Sequence, residues 1–471
     1  MSGVNIVFLL LAASIATNAQ SPQNALQSAR TSAEKGVAAG QLYLGESYRD
    51  GDGVPQDYKE AARWFRLAAD QGLALAQYNL GYLCFTGQGL PQDHKEAIHW
   101  YRLAAGQGLD LAQANLAYGY RNGDGVEKDP KEALRWYRMA ADHGNAVAQT
   151  ALGDMYHDGD GVTHDFAEAV RWYRKAADRG DPAGQFAVGD SYRTGEGVPQ
   201  DNKEAARWFR LSADRGFANA QAFLGVMYAS GKGVPQDNAE SVRLYKLAAA
   251  QGQMLAIFSL ADCYRQGVGV PRDPKEALRW YRVLADHGDE YAQNNVGVAY
   301  RDGEGVDKDP KEAARWFRLA ADQGESVAQT NLAAAYRAGA GVAQDYQEEL
   351  RWYRKAADQL DASGQFNLGG MYERGEGVPQ DNAEAARWYR LAADQGEQVA
   401  QLRLGKMYMD GEGVAKDSVQ AWFWLDLAEA AKLRDDIARG MTPAQLTEAM
   451  RLATEWKKDK ADNPPVGVLG Q

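Results

Sequence analysis

Residues Asp50–Gly72 read DGDGVPQDYKEAARWFRLAADQG, and the fold turns on how this stretch is understood. Its first half, acids set between glycines, has the look of a calcium or phosphate loop. Its second half is an amphipathic helix, with Ala61, Trp64, Phe65 and Ala68 spaced as one apolar stripe. Near-copies begin at Asn122, Thr194, Asp302 and Arg374. The first loop glycine recurs at 51, 87, 123, 159, 195, 231, 267, 303, 339, 375 and 411, a step of 36 held eleven times without insertion or deletion. A fixed period in this range is the signature of a solenoid and takes precedence over any local motif.

The loop itself fails as a metal or phosphate site. Aligning Gly53 with the glycine of a calcium loop puts Lys59 at the twelfth position, where a bidentate glutamate is needed. A phosphate loop joins a strand to a helix, whereas this one joins two helices. It reads as a connector.

One repeat, Gly36–Gln71, comprises helix A over about Val37–Arg49 and helix B over about Tyr58–Gln71. Asp57 caps helix B, with Glu60 three residues on, the pattern of a capping box. The same aspartate stands at Asp93, Asp129, Asp165, Asp201, Asp237, Asp273, Asp309, Asp345, Asp381 and Asp417. Pro130, Pro274 and Pro310 follow their caps at the position a helix tolerates best. Arg66 and Asp70 are placed to pair on the outer face. In helix A, Leu44, Gly45 and Tyr48 form the matching stripe, and glycine or alanine at the Gly45 position implies close approach of the two helices. Neither helix buries its stripe alone, so the pairs stack.

The 471 residues are 45% hydrophobic and 25% charged, with a net charge of −12, which leaves no basic footprint for nucleic acid. Cys84 and Cys263 lie five repeats apart, beyond disulfide reach, and read as buried spectators. Residues Ile6–Ala16, IVFLLLAASIA, form an apolar run too short for a comfortable membrane span, followed by Thr17 and Ala19, which suit a signal-peptidase site. The expectation is an exported chain, periplasmic or secreted, cleaved near Ala19, although only the amino terminus supplies positive charge ahead of the run. No later segment is apolar enough to cross a membrane.

The stretch AQYNLGYLCFTGQGLPQDHKEAIHWYRLAAGQG at Ala76–Gly108 and its ten relatives resemble the Sel-one-like repeat (SLR) family, a branch of the tetratricopeptide-like superfamily. The resemblance covers about residues 36–431. QAWFWLDLAEAA followed by MTPAQLTEAMRLATEW is similar to the final repeat and capping helix of bacterial members. Thr442, Pro443 and Gln445 are expected to open that helix, and Leu446, Met450 and Leu452 to seal the stack. The implied fold is all-α, a right-handed α-solenoid of eleven helix-turn-helix repeats with a C-terminal capping helix. Residues 1–19 read as a signal peptide, 20–35 as a lead-in, 432–456 as the capping segment and 457–471 as a flexible tail. The family implies adaptor, assembly or host-protein roles, with helix A lining the concave, ligand-facing side.

Among helix A positions, Asn79, Asn115, Asn295, Asn331 and Asn367 share one register, and their amides suit an extended peptide backbone. Arg49, Arg121, Arg193, Arg265, Arg301 and Arg337 follow the helix A tyrosine register and suit acidic groups. Bridging between helices and carbonyl capping are the plainer alternatives. His157 and His164 flank a loop without tight metal spacing, and no catalytic constellation recurs. The Trp and Tyr stripes read as core. The reading is a non-catalytic, monomeric scaffold for a protein or peptide, without cofactor, metal or membrane span. An envelope enzyme or sugar-binding module would need acids and aromatics converging in one groove, which no single repeat shows. A cytoplasmic regulatory scaffold is the third possibility. Two places are expected to be irregular: repeats six and seven, where Ser241, Leu244, Ile257 and Leu284 replace the usual residues, and Leu360, which stands where glycine is usual.

Overall fold

The computed structural model describes residues 22–462. The chain divides into two compact units, residues 1–251 and 252–471, which hold repeats one to six and seven to eleven. The described residues form 25 helices and no strand, and the repeats supply 22 of the helices, from Ala38–Asp50 to Ser418–Leu427. Within each unit, helix A packs on helix B of its own repeat, and helix B on the next helix A, as a solenoid of helical hairpins.

The opening loop is a joint. Gly51 caps helix A with φ +78°, and Asp57 then accepts hydrogen bonds from the N–H groups of Lys59 (2.9 Å) and Glu60 (3.1 Å). The expected capping box is only half made. The Asp57 N–H donates to the Tyr48 carbonyl instead (2.9 Å), which ties helix B to helix A, and Glu60 pairs with Arg63 (3.1 Å). The second loop glycine has a separate role. A Cβ on Gly89 would lie 2.3 Å from the Tyr58 carbonyl oxygen, so the loop of one repeat rests directly on the first turn of helix B before it.

Between the helices, a Cβ on Gly45 would meet Phe65 Cδ1 at 2.6 Å, which explains the small residue at that register. The joint between repeats is polar as well as apolar. The buried Gln77 Nε2 donates to the Ala69 carbonyl (3.2 Å), while its Oε1 accepts from Gln107 Nε2 (2.8 Å). The same reach of eight residues back recurs at Gln41, Gln113, Gln149, Gln185, Gln221, Gln293, Gln329, Gln365 and Gln401. Arginines of helix B add a second stitch, donating to the tyrosine hydroxyl of the next helix A, as from Arg102 to Tyr120 (3.0 Å) and Arg354 to Tyr372 (2.9 Å). Arg66 finds Cys84 where that tyrosine would be, and it pairs with Glu96 of the next repeat (2.5 Å) rather than with Asp70.

The boundary between units falls between repeats six and seven. Ser241 and Leu244 are buried in the first unit and Ile257 and Leu284 in the second, and Ile257 carries no side-chain amide. Leu360 adopts φ +64°, as its place in the repeat requires.

The lead-in is a helix, Pro22–Glu34, with Ala25, Ala29 and Ala33 buried. At the other end, the final helix runs Pro443–Asp462, six residues into the segment expected to be loose, held by Lys457 Nζ on Asp426 (2.8 Å). Its capping box is complete: the Thr442 N–H donates to Gln445 Oε1 (2.9 Å), and the Gln445 N–H to Thr442 Oγ1 (3.3 Å). Leu446 and Leu452 pack inward with buried Ala449 and Ala453, but Met450 faces solvent. The expected signal peptide and the last nine residues lie outside the described residues. No helix among the described residues is long and apolar enough to cross a membrane.

Candidate functional site

Helix A has an inward face fixed by the joints and an outward face that changes from repeat to repeat. In repeat two, Ala76, Gln77, Leu80, Gly81 and Cys84 are buried, while Tyr82 stays 42% exposed; Tyr118, in its register one repeat on, is 48% exposed. In repeats four and five that register carries Asp154 and Asp190.

The asparagines are engaged within the chain. Asn79 is buried, accepts from Arg49 Nη1 (3.3 Å) and lies against Glu46. Asn115 turns its amide to the Tyr78 and Tyr101 hydroxyls. Asn331 accepts from Arg301 Nη1 (3.0 Å) and donates to Asn294 (2.9 Å). Asn295 and Asn367 donate to carbonyls of their own helix, at Tyr291 (2.9 Å) and Ser363 (2.8 Å). The two candidate sets thus meet twice, an arginine of one repeat holding the asparagine of the next.

Each candidate arginine also faces a carboxylate. Arg49 bonds Asp50 (2.8 Å), Arg193 bonds Asp190 (2.6 Å), Arg265 bonds Asp262 (2.7 Å) and Arg301 bonds Asp302 (2.8 Å). Arg121 lies among Asp160 (3.0 Å), Asp158 (3.2 Å) and Asp154 (4.0 Å), and Arg337 stands 3.9 Å from both Glu349 and Glu376. The row is therefore already neutralised by its own chain. Cys84 is buried and Cys263 only partly so, and burial pushes both thiols up to about 11.

Two grooves open along the A helices of the first unit. One, about 510 Å³, lies between repeats one and two and is lined by Arg49, Tyr58, Tyr78, Asn79 and Tyr82 among others. The second, about 320 Å³, is lined by Thr150, Asp154, His157, Tyr173, Phe186, Asp190, Glu196 and Phe217, with small residues between. Tyr173 donates to Asp154 Oδ1 (2.8 Å). Burial raises the Asp154 carboxyl, and the Tyr173 hydroxyl and Arg121 only partly offset it. His157 sits between Asp158 (2.9 Å) and Glu196 (3.2 Å); burial opposes its charge, but these bonds outweigh that and raise its pKa. Acids and aromatics thus do converge in one groove. They come from neighbouring repeats, which is why inspection of one repeat at a time misses them. The recurrence of an acid at Asp154 and Asp190, 36 residues apart, is the signal that finds them.

Eleven consecutive stretches, from 38–73 to 398–432, match the Sel1 repeat. Among solved structures, the chain is similar to c5321, a protective antigen of uropathogenic Escherichia coli strains with an SLR fold: 38% identity over 93% of this chain and 95% of that one, with a TM-score of 0.78. It is also similar to a Sel1 repeat protein from Oxalobacter formigenes, at 35% identity over 65% of this chain and 89% of that one, with a TM-score of 0.49. No curated protein matches. Sel1 repeats generally mediate protein interactions. With the matched stretches running from residue 38 to 432, the chain belongs to the Sel1 repeat family.

Proposed function

We propose that the chain is an exported, non-catalytic scaffold that holds a protein or peptide segment along its A helices. The observation that carries this is the pair of grooves in the first unit, formed in the registers where residue type varies while the joint residues repeat. In the second unit, Asn295, Asn331 and Asn367 occupy the register of Asn79 one repeat apart and are the proposed contacts, exchanging their bonds within the chain for the partner's backbone. Export is supported by the apolar run Ile6–Ala16 and by likeness to a protein described as a protective antigen.

Photo-crosslinking residues at Tyr82, Tyr118 and Ala187 test the surface, with Arg171 and Arg315 on helix B as controls. Partner adducts from the helix A positions alone are the expected result, and adducts from helix B alone would overturn the reading. Cell fractionation with sequencing of the mature N-terminus tests export, with a new terminus close after Ala19 expected.

A further inference from the structure

We propose that the groove between the A helices of repeats four and five receives a lysine or arginine side chain of the partner polypeptide. This rests on the scaffold reading and adds the partner's chemistry to it.

The lining has three properties that together select a cation. Asp154, Asp190 and Glu196 contribute carboxylates, and the one basic side chain in the lining is His157, held against Glu196. Tyr173, Phe186 and Phe217 contribute aromatic rings, whose faces attract a cationic head while their carbon covers its aliphatic stem. The volume, about 320 Å³, is at the small end for ligand sites and suits one side chain rather than a folded domain.

The surrounding charge is unbalanced in the same sense. Asp158 and Asp160 join the three lining acids, and Arg121, Arg193 and, when protonated, His157 are the three groups that oppose the five. Asp154 shows the shortage most directly. Its Oδ1 accepts from Tyr173, but its Oδ2 has Arg121 only at 4.0 Å, outside hydrogen-bond reach. A half-buried carboxylate whose ionised form is disfavoured by burial gains from an added positive charge. An incoming ammonium or guanidinium supplies it, and the aromatic walls keep the pairing partly out of water.

The test uses the full chain and two fluorescent twelve-residue peptides, identical but for a central Lys-Leu-Lys or Glu-Leu-Glu. Fluorescence anisotropy should show binding of the lysine peptide, weakening as salt is raised, and no binding of the glutamate peptide. The Asp154→Asn/Asp190→Asn/Glu196→Gln protein should bind the lysine peptide at least roughly tenfold more weakly. Should that variant melt early, Asp190→Asn/Glu196→Gln keeps the Tyr173–Asp154 bond and should still weaken binding severalfold. Equal binding of both peptides, or unchanged affinity in a folded variant, would overturn the proposal. So would preferential binding of the neutral sugar chitotetraose at this groove. Partner crosslinks at Tyr82 and Tyr118 with no lysine-peptide binding would leave the scaffold reading standing and remove only this inference.

Discussion

At Leu360 the chain takes φ +64° in the turn where Gly72, Gly108 and Gly324 take +88°, +89° and +106°. The left-handed region costs a side chain about 1–2 kcal/mol, and Leu360, 70% exposed, recovers little by burial. Leu360→Gly relieves that strain and gives back part of it as unfolded-chain entropy, so a net gain of about 0.5–1 kcal/mol is expected in chemical denaturation. A loss would mean that the leucine makes contacts that outweigh its backbone. Glu349 is the opposite kind of residue. It is fully buried, neither oxygen has a hydrogen-bond partner, and it occupies a position that is alanine or serine in every other repeat. Burial pushes its carboxyl from 4.5 to about 7, with Arg337 and Arg374 pulling down and Glu376 pushing up. Because the folded value lies above the unfolded one, the stability tied to the proton is complete below pH 4.5 and is lost as pH rises through about 7. Glu349→Ala should therefore be more stable than the parent at pH 8, by on the order of 2 kcal/mol, with the gap closing towards pH 4.5. A constant gap across that range would place the cost elsewhere. Both residues are legible by laying one repeat over another. Leu360 stands out because glycine marks its register, whereas Glu349 reads as one more acid in a charged helix until its burial is known.

At the scale of helices, the tryptophan and alanine stripes and the glycine-limited approach of A to B are written in the spacing. The glutamines are not. A polar residue on a helix face reads as solvent-facing, yet Gln77 is buried and joins the Ala69 carbonyl to the Gln107 amide. Gln77→Leu keeps the volume but leaves both partners unpaired, and a loss of about 1–3 kcal/mol is expected, seen as faster hydrogen exchange at the end of helix B. Unchanged exchange there would show that water replaces the side chain. The lead-in helix is missed for a related reason: Ala25, Ala29 and Ala33 lack the bulk that announces a core. Its register is nonetheless that of helix B, with Ala25, Ala33 and Gly36 standing 36 residues before Ala61, Ala69 and Gly72. The grooves are less legible still, because each gathers its lining from neighbouring repeats and depends on side-chain direction that spacing alone does not give.

For the whole chain, the uniform step of 36 makes each joint within a unit a near-copy of the others. Excising residues 110–145 brings Arg102 to the place of Arg138 opposite Tyr156, and sets Ala105 in place of Ala141 before Gln149. The loop glycine Gly161, which rests on the first turn at Pro130, would meet the equivalent turn at His94, where Gly125 rests now. The shortened protein should fold, with circular dichroism per residue unchanged and a melting temperature within about 5 °C of the parent. Collapse to an unfolded or aggregated chain would show that repeat three carries something its neighbours lack. Interchangeable joints also change how such a gene evolves. Unequal crossing-over between copies of a 36-codon segment adds or removes a whole repeat without creating a new interface. The reach of the row proposed to face a partner then becomes a number that recombination can count up or down, leaving point mutation free to change the side chain at each step of it.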